Sequence, residues 1–284
     1  MRIKRKYGKW KNVQSFFFIL LFVIYPLYLV FSETIDYAAE NTVYLYKEAQ
    51  LLGGLNTYEI EELGLERLTI ADPIYNKTIV WSGVKLDALE KKYNIGKEYD
   101  LLQVISDAYM CFYIPADFYR NGPVQLSTRY FDTYYTGANW PKMRNFIAGP
   151  FVLSYPENHN VQMRQKPDFD ARAFGIMELR WLKSKNFWGA IKLMPAGNEA
   201  PDDPKHVMRD ICLRCHLIKG KGGLRGADFL VPLDVTTVMD ADSFVKYVTV
   251  PESRDKNSAM FTPRVVKPAI VRQIYDLLKS KAFN

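Results

Sequence analysis

Cysteine is scarce in this chain: Cys111, Cys212 and Cys215 are the only three in 284 residues. That is too few for a disulfide scaffold in an exported protein of this length. Histidine is equally rare (His159, His206 and His216), and none follows His216. No Gly-Lys-Ser or Gly-Lys-Thr occurs, which excludes a Walker phosphate loop. Acidic residues are missing from the first 32 positions, whereas Arg2, Lys4, Arg5, Lys6, Lys9 and Lys11 all fall there. Without residues 1–32 the chain has 32 basic against 31 acidic side chains, so the net charge of +7 belongs mostly to the leader. Nucleic acid is therefore not an expected partner. The whole chain is 48% hydrophobic and 14% aromatic, too apolar for a disordered chain and long enough for two domains.

Behind the basic cluster, Phe16 to Phe31 run sixteen residues without a charge. A membrane span needs about 20 residues and a signal-peptide core roughly 7–15, so the run lies between the two. Val30 and Ser32 suit a signal-peptidase site, while the length of the run and Phe31 suit an uncleaved anchor over residues 13–31. Both readings keep residues 1–12 inside and export Glu33 onward, to the periplasm.

Cys212-Leu213-Arg214-Cys215-His216 is a C-x-x-C-H sequence, the attachment motif of c-type heme. Positions three apart share a helix face, so both thiols can meet the two vinyl groups along one porphyrin edge. His216 then supplies an imidazole nitrogen as the proximal iron ligand. Asp203 and Pro204 read as N-cap and N1 of a helix leading into the motif. Gly220, Gly222, Gly223 and Gly226 break the chain into a loop behind it. A redox dithiol wants a strand before and a helix after; here the order is reversed. A sixth iron ligand must come from downstream, where Met239 and Met260 are the only methionines. Met260, in the polar loop Asn257 to Pro263, is the expected distal ligand; Met239 precedes a helix cap at Asp240 and reads as a packing residue.

Through CLRCH, the glycine loop, a helix Asp242 to Val248, the Met260 loop and a last helix with Ile270, Ile274 and Leu278 on one face, residues 199–284 resemble a class I cytochrome c. The resemblance implies an all-α domain, one covalent heme and electron transfer. In that family a loop proline presents its carbonyl to the proximal histidine, and Gly226-Ala227 stand here where Gly-Pro is usual.

Residues 33–198 read as an α+β domain with a mixed sheet. Tyr37 to Leu52 is expected as a helix ended by Gly53-Gly54, with a short helical piece from Tyr58 and a helix over Leu86 to Tyr93. Leu101 to Ile114 is expected as one long strand, and Phe146 to Ser154, Phe174 to Leu182 and Trp188 to Leu193 as further strands. Trp81-Ser82-Gly83-Val84-Lys85-Leu86, then Ser106-Asp107-Ala108-Tyr109, then Gly149-Pro150 resemble the molybdopterin-binding domain of the sulfite oxidase fold. Active members bind molybdenum through a cysteine thiolate. Cys111 does not occupy the matching place and reads as a small buried hydrophobe, so the domain is expected to lack the cofactor. Arg129, Arg144, Arg164 and Arg172 are candidates for an anion pocket, whereas His159 and His206 read as surface residues. The linker is read at Met194 to Pro204.

Three functional classes stand at this stage. The first is a periplasmic electron carrier with one heme, its upstream domain docking it to a redox partner. The others are a heme-containing molybdopterin oxidoreductase acting on a small anion, and a structural cytochrome subunit of a membrane complex. Arg214, Lys219, Lys221 and Arg225 near the motif, with Arg254, Lys256, Arg264 and Lys267 around Met260, are candidates to steer an acidic partner.

Overall fold

Strands buried at successive positions, and so on both faces, organise the upstream half. The computed structural model describes residues 37–72, 77–137, 139–143, 146–147, 149–156, 173–196, 199–200, 202–224, 226, 228–230, 234–250 and 266–280. The leader, with its expected signal or anchor helix over 13–31, lies outside these residues. So do Met260, Arg144, Arg164, Arg172 and His159. No helix among the described residues is long and apolar enough to cross a membrane.

Two sheets face each other. The first is mixed, with strand order β2 (Gln50–Asn56), β1 (Thr42–Lys47), β12 (Ile176–Leu182), β5 (Leu101–Ser106) and β6 (Cys111–Pro115). Only β1 and β12 run parallel in it. The second is antiparallel, in the order β11 (Val152–Ser154), β7 (Gln125–Tyr130), β4 (Lys77–Lys85) and β3 (Glu66–Asp72), with β8 (Thr133–Tyr134) on β7. A separate two-stranded piece pairs β9 (Lys142–Met143) with β10 (Phe146–Ile147). The first core contains Val43, Leu45, Leu102, Val104, Phe112, Leu179 and Trp181 of the first sheet with Ile79, Trp81, Val84, Leu126 and Leu153 of the second. Period-two alternation then sends Leu101, Cys111, Tyr113 and Leu182 to the opposite face of the first sheet.

That opposite face corrects the expected architecture. The C-terminal segment is not a separate all-α cytochrome domain. It carries a helix Pro204–Asp210, a 3-10 turn Cys212–Arg214 and a hairpin of β13 (Leu217–Ile218) with β14 (Lys221–Gly222), then helices Val235–Val238, Ala241–Thr249 and Pro268–Lys279. Val207, Met208, Leu213, Ile218, Phe244, Val271, Ile274 and Leu278 from this segment form one second core with Leu101, Cys111, Tyr113, Leu182, Phe187 and Trp188. The physical reason is reciprocal: each short helix has one apolar stripe, and the outer face of β5 and β6 is equally apolar, so both are buried by the same contact. Residues 37–284 accordingly form a single α+β unit. The stretch read as a linker is tied to the residue before it through one ion pair. Leu193 is fully buried, and its carbonyl accepts from Arg209 at 2.9 Å, while Arg209 is also paired with Glu199.

Three local expectations also change. In place of a helix over Tyr37 to Leu52 there is one turn, Tyr37–Glu40, and then the hairpin β1–β2, turning at Glu48 with φ +53°. Gly54 is not a helix terminator but faces Tyr44, and a Cβ there would lie 2.7 Å from the Thr42 methyl. The long strand from Leu101 is a hairpin whose turn places Tyr109 at φ +57° and closes by Ser106 N–H to the Met110 carbonyl at 2.9 Å. Trp188 lies on a helix, Ser184–Gly189, whose Phe187 and Trp188 enter the second core. The helix Leu86–Lys92 stands where expected.

Because Ile274 belongs to a core shared by sheet and helices, Ile274→Ala should cost about 2–5 kcal/mol. In urea, tryptophan fluorescence and far-UV circular dichroism should shift together; two separated transitions would show that the C-terminal helices unfold on their own.

Candidate heme-attachment site

Asp203 caps the helix leading to the motif, its carboxylate accepting from the Lys205 N–H at 2.8 Å, with Pro204 in the first turn. After Asp210 the helix tightens into the 3-10 turn. Cys215 N–H donates to the Cys212 carbonyl at 3.2 Å and His216 N–H to the same carbonyl at 2.9 Å. This single turn sorts the five side chains. Leu213 and Arg214 go inward and are buried, while Cys212, Cys215 and His216 stay half-buried.

Backbone hydrogen bonds hold the glycine loop against the turn. Gly223 N–H donates to the Leu213 carbonyl at 2.9 Å and Gly226 N–H to the Cys215 carbonyl at 2.6 Å. A Cβ on Gly223 would lie 1.9 Å from the Arg214 carbonyl oxygen. One on Gly226 would lie 2.6 Å from both Nδ1 and Cε1 of His216, so the chain passes against the Nδ1 edge of that imidazole. Phe229 stacks on the ring face, with centroids 4.6 Å apart and planes 19° from parallel. A ligating histidine needs its ring orientation set by neighbours, and here Gly226 and Phe229 do so. Ala227 lies outside the described residues.

These residues fit heme c. Two thiols and an imidazole occupy one turn, and Ile211, Cys212, Phe229, Leu230, Val235 and Met239 pack half-buried at the rim of the second core, an apolar surface suited to a porphyrin. Burial pushes the Cys212 thiol up to about 12, with Cys215 adding to the rise. Thiol–disulfide exchange needs the opposite shift, toward the thiolate. Met239 remains a packing residue whose carbonyl accepts from the Tyr275 hydroxyl at 2.8 Å.

The other candidates divide. Arg129, a candidate for the anion pocket, instead pairs with Glu61 (Nε to Oε1 2.9 Å) and donates to the Tyr134 hydroxyl at 2.6 Å. Burial raises the Glu61 carboxyl, but the hydrogen bonds from Arg129, Thr128 and Tyr134 outweigh it and hold the group below the usual carboxylate range. His206 lies 3.2 Å from Asp210 on the same helix. Of the steering cations, Lys219 is exposed, Lys221 lies 5.4 Å from the Phe187 ring, and Lys267 pairs with Asp202 at 3.4 Å. Arg225, Arg254, Lys256 and Arg264 lie outside the described residues. Arg214 is not among the surface cations; only 7% of it is exposed.

Of the stretch resembling the sulfite oxidase fold, Trp81 to Lys85 end β4 and Leu86 opens the next helix, with Gly83 so close to β7 that a Cβ would meet the Leu126 carbonyl at 2.2 Å. Ser106 ends β5, and Asp107 to Tyr109 form the turn. Cys111 faces the heme-motif loop: its thiol donates to the Gly222 carbonyl at 3.3 Å and accepts from Gln103 Nε2 at 3.4 Å. Nothing in the local sequence around Cys111 signals a partner 111 residues downstream. The chain matches no protein-family model, and no curated protein matches it.

Gly226→Ala should destabilise the protein by about 1–3 kcal/mol through the collision with His216. Gly189→Ala, which meets nothing within 4 Å, should be neutral or stabilise by about 0.4–1 kcal/mol in the same urea melts. Burial pushes the Cys111 thiol up to about 11 from 9.0, so its protonated form is favoured in the folded state. That contribution is present below pH 9 and is lost as pH rises toward 11. Cys111→Ala should therefore lose less stability than the unaltered chain between pH 9 and 11; parallel curves would contradict this.

Proposed function

We propose that this protein is an exported c-type cytochrome that carries electrons through one covalently bound heme, exchanging them with a redox protein or a respiratory membrane complex. The observation that carries the reading is the placement of Gly226 against the Nδ1 edge of His216, the residue directly after the turn from Cys212 to Cys215. Cys212 and Cys215 would hold the group through thioether bonds and His216 would ligate its iron. Met260 is the proposed distal ligand. When bound, heme c supplies reversible one-electron exchange at the iron.

The chain's own residues supply orientation and shelter. Gly226 and Phe229 fix the imidazole, Leu213 anchors the turn in the second core, and the half-buried rim excludes water. Lys219 and Lys221 give the loop a positive bias suited to an acidic partner. The leader is proposed to deliver the chain to the periplasm, and to hold it at the membrane where it is not removed. The upstream sheets are proposed to bind no molybdopterin, in keeping with a Cys111 thiol turned to Gly222.

The deciding measurement is an optical spectrum, with heme and molybdenum quantified on one preparation made in a host that attaches c-type heme. About one heme per chain, retained on denaturation and lost in the Cys212→Ala, Cys215→Ala double variant, is expected. Near-stoichiometric molybdenum would favour the oxidoreductase, and stable co-purification with a membrane complex the structural subunit. Met260→Ala should alter the spectrum and lower the potential, because thioether ligation raises it.

A further inference from the structure

Between the two motif cysteines the chain places a cation, and the fold turns it away from water. Arg214 is 7% exposed, and its guanidinium carbon lies 5.1 Å from the centre of the Phe112 ring. Phe112 belongs to β6, the edge strand of the first sheet, and its ring lies edge-on to Phe174 in the first core, with centroids 6.1 Å apart. Leu213, the residue before Arg214, sits in the second core. The Arg214 side chain therefore reaches the rim of the first core from a backbone anchored in the second. Its carbonyl is closed in as well, since a Cβ on Gly223 would approach it to 1.9 Å. Arginine keeps its charge at any working pH, and burial spares that charge from screening by salt.

Resting on the heme reading above, we propose that Arg214, held in place by Phe112 of the upstream sheet, is a positioning residue that sets the reduction potential of the heme. Oxidation adds one positive charge to the site held by Cys212, Cys215 and His216. A fixed cation within the same turn disfavours that charge, so the reduced form is stabilised and the potential is raised. The upstream sheet thereby sets the driving force of electron transfer through Phe112. Arginine suits the task because its planar guanidinium stacks on an aromatic face, which a lysine ammonium does less well.

The test is a redox titration of full-length holoprotein, unaltered and as Arg214→Gln, Arg214→Lys and Phe112→Leu, with heme per chain and the spectrum recorded for each. Arg214→Gln should lower the midpoint potential while heme content and the axial-ligand bands stay unchanged. Arg214→Lys should keep most of the original potential, and Phe112→Leu should lower it by less than Arg214→Gln. An unchanged or raised midpoint in Arg214→Gln overturns the proposal. So does a fall in Arg214→Lys as large as that in Arg214→Gln, because geometry and not charge would then carry the effect. Should Arg214→Gln fail to accumulate, Phe112→Leu decides: a lowered midpoint supports the proposal and an unchanged one overturns it. Absence of covalent heme from the unaltered chain would refute the heme reading itself, a separate result from an unshifted potential.

Discussion

Burial of the outer face of β5 and β6 is the contact on which the rest of the structure depends. The first sheet is apolar on both sides: Leu102, Val104, Phe112 and Ile114 meet the second sheet, while Leu101, Cys111 and Tyr113 meet the C-terminal helices. Neither side of the second contact is complete without the other. At roughly 25 cal/mol per Å² of apolar surface, a shared core of this kind outweighs the isolated polar links across it. The thiol of Cys111 on Gly222, the Arg214 guanidinium on Phe112 and the Leu224 N–H on the Tyr109 carbonyl then fix where the motif loop sits.

The site follows from that placement. Leu213 enters the common core, and Cys212 and Cys215 flank the inward pair half-buried. Backbone bonds from Gly223 and Gly226 draw the loop over the turn, at distances that leave no room for a side chain. His216 is thereby confined between a stacked ring and a passing backbone. Gly226 on one side and the Phe229 ring on the other set the orientation of the imidazole.

How much of this was legible in the sequence depended on how local the cause was. The helix Pro204–Asp210 was readable because Asp203 and Pro204 cap it within four residues, and CLRCH was readable because its chemistry lies in its spacing. The hairpin β1–β2 was not, since Glu48, Ala49 and Gln50 are good helix formers and only pairing of β1 with β12, some 130 residues away, makes the segment a strand. The turn between β5 and β6 hides for a related reason: it uses Tyr109 in a left-handed conformation and contains neither glycine nor proline. The all-α expectation for residues 199–284 failed because periodicity shows that a helix has an apolar face without showing what covers it. Arg214 was misplaced on the surface for the same reason, its aromatic partner being 102 positions upstream.

The edge strand β6 has one further consequence. A sheet edge carries a row of unsatisfied amides and carbonyls that recruits strands from other molecules, and proteins cover such edges to stay soluble. Here the covering element is the segment that contains Cys212, Cys215 and His216. While that segment is unfolded, as it is when the chain first emerges, the edge is bare. Folding of the motif segment and protection against strand-to-strand aggregation are thus one event, and a chain that fails to fold that segment exposes an adhesive edge.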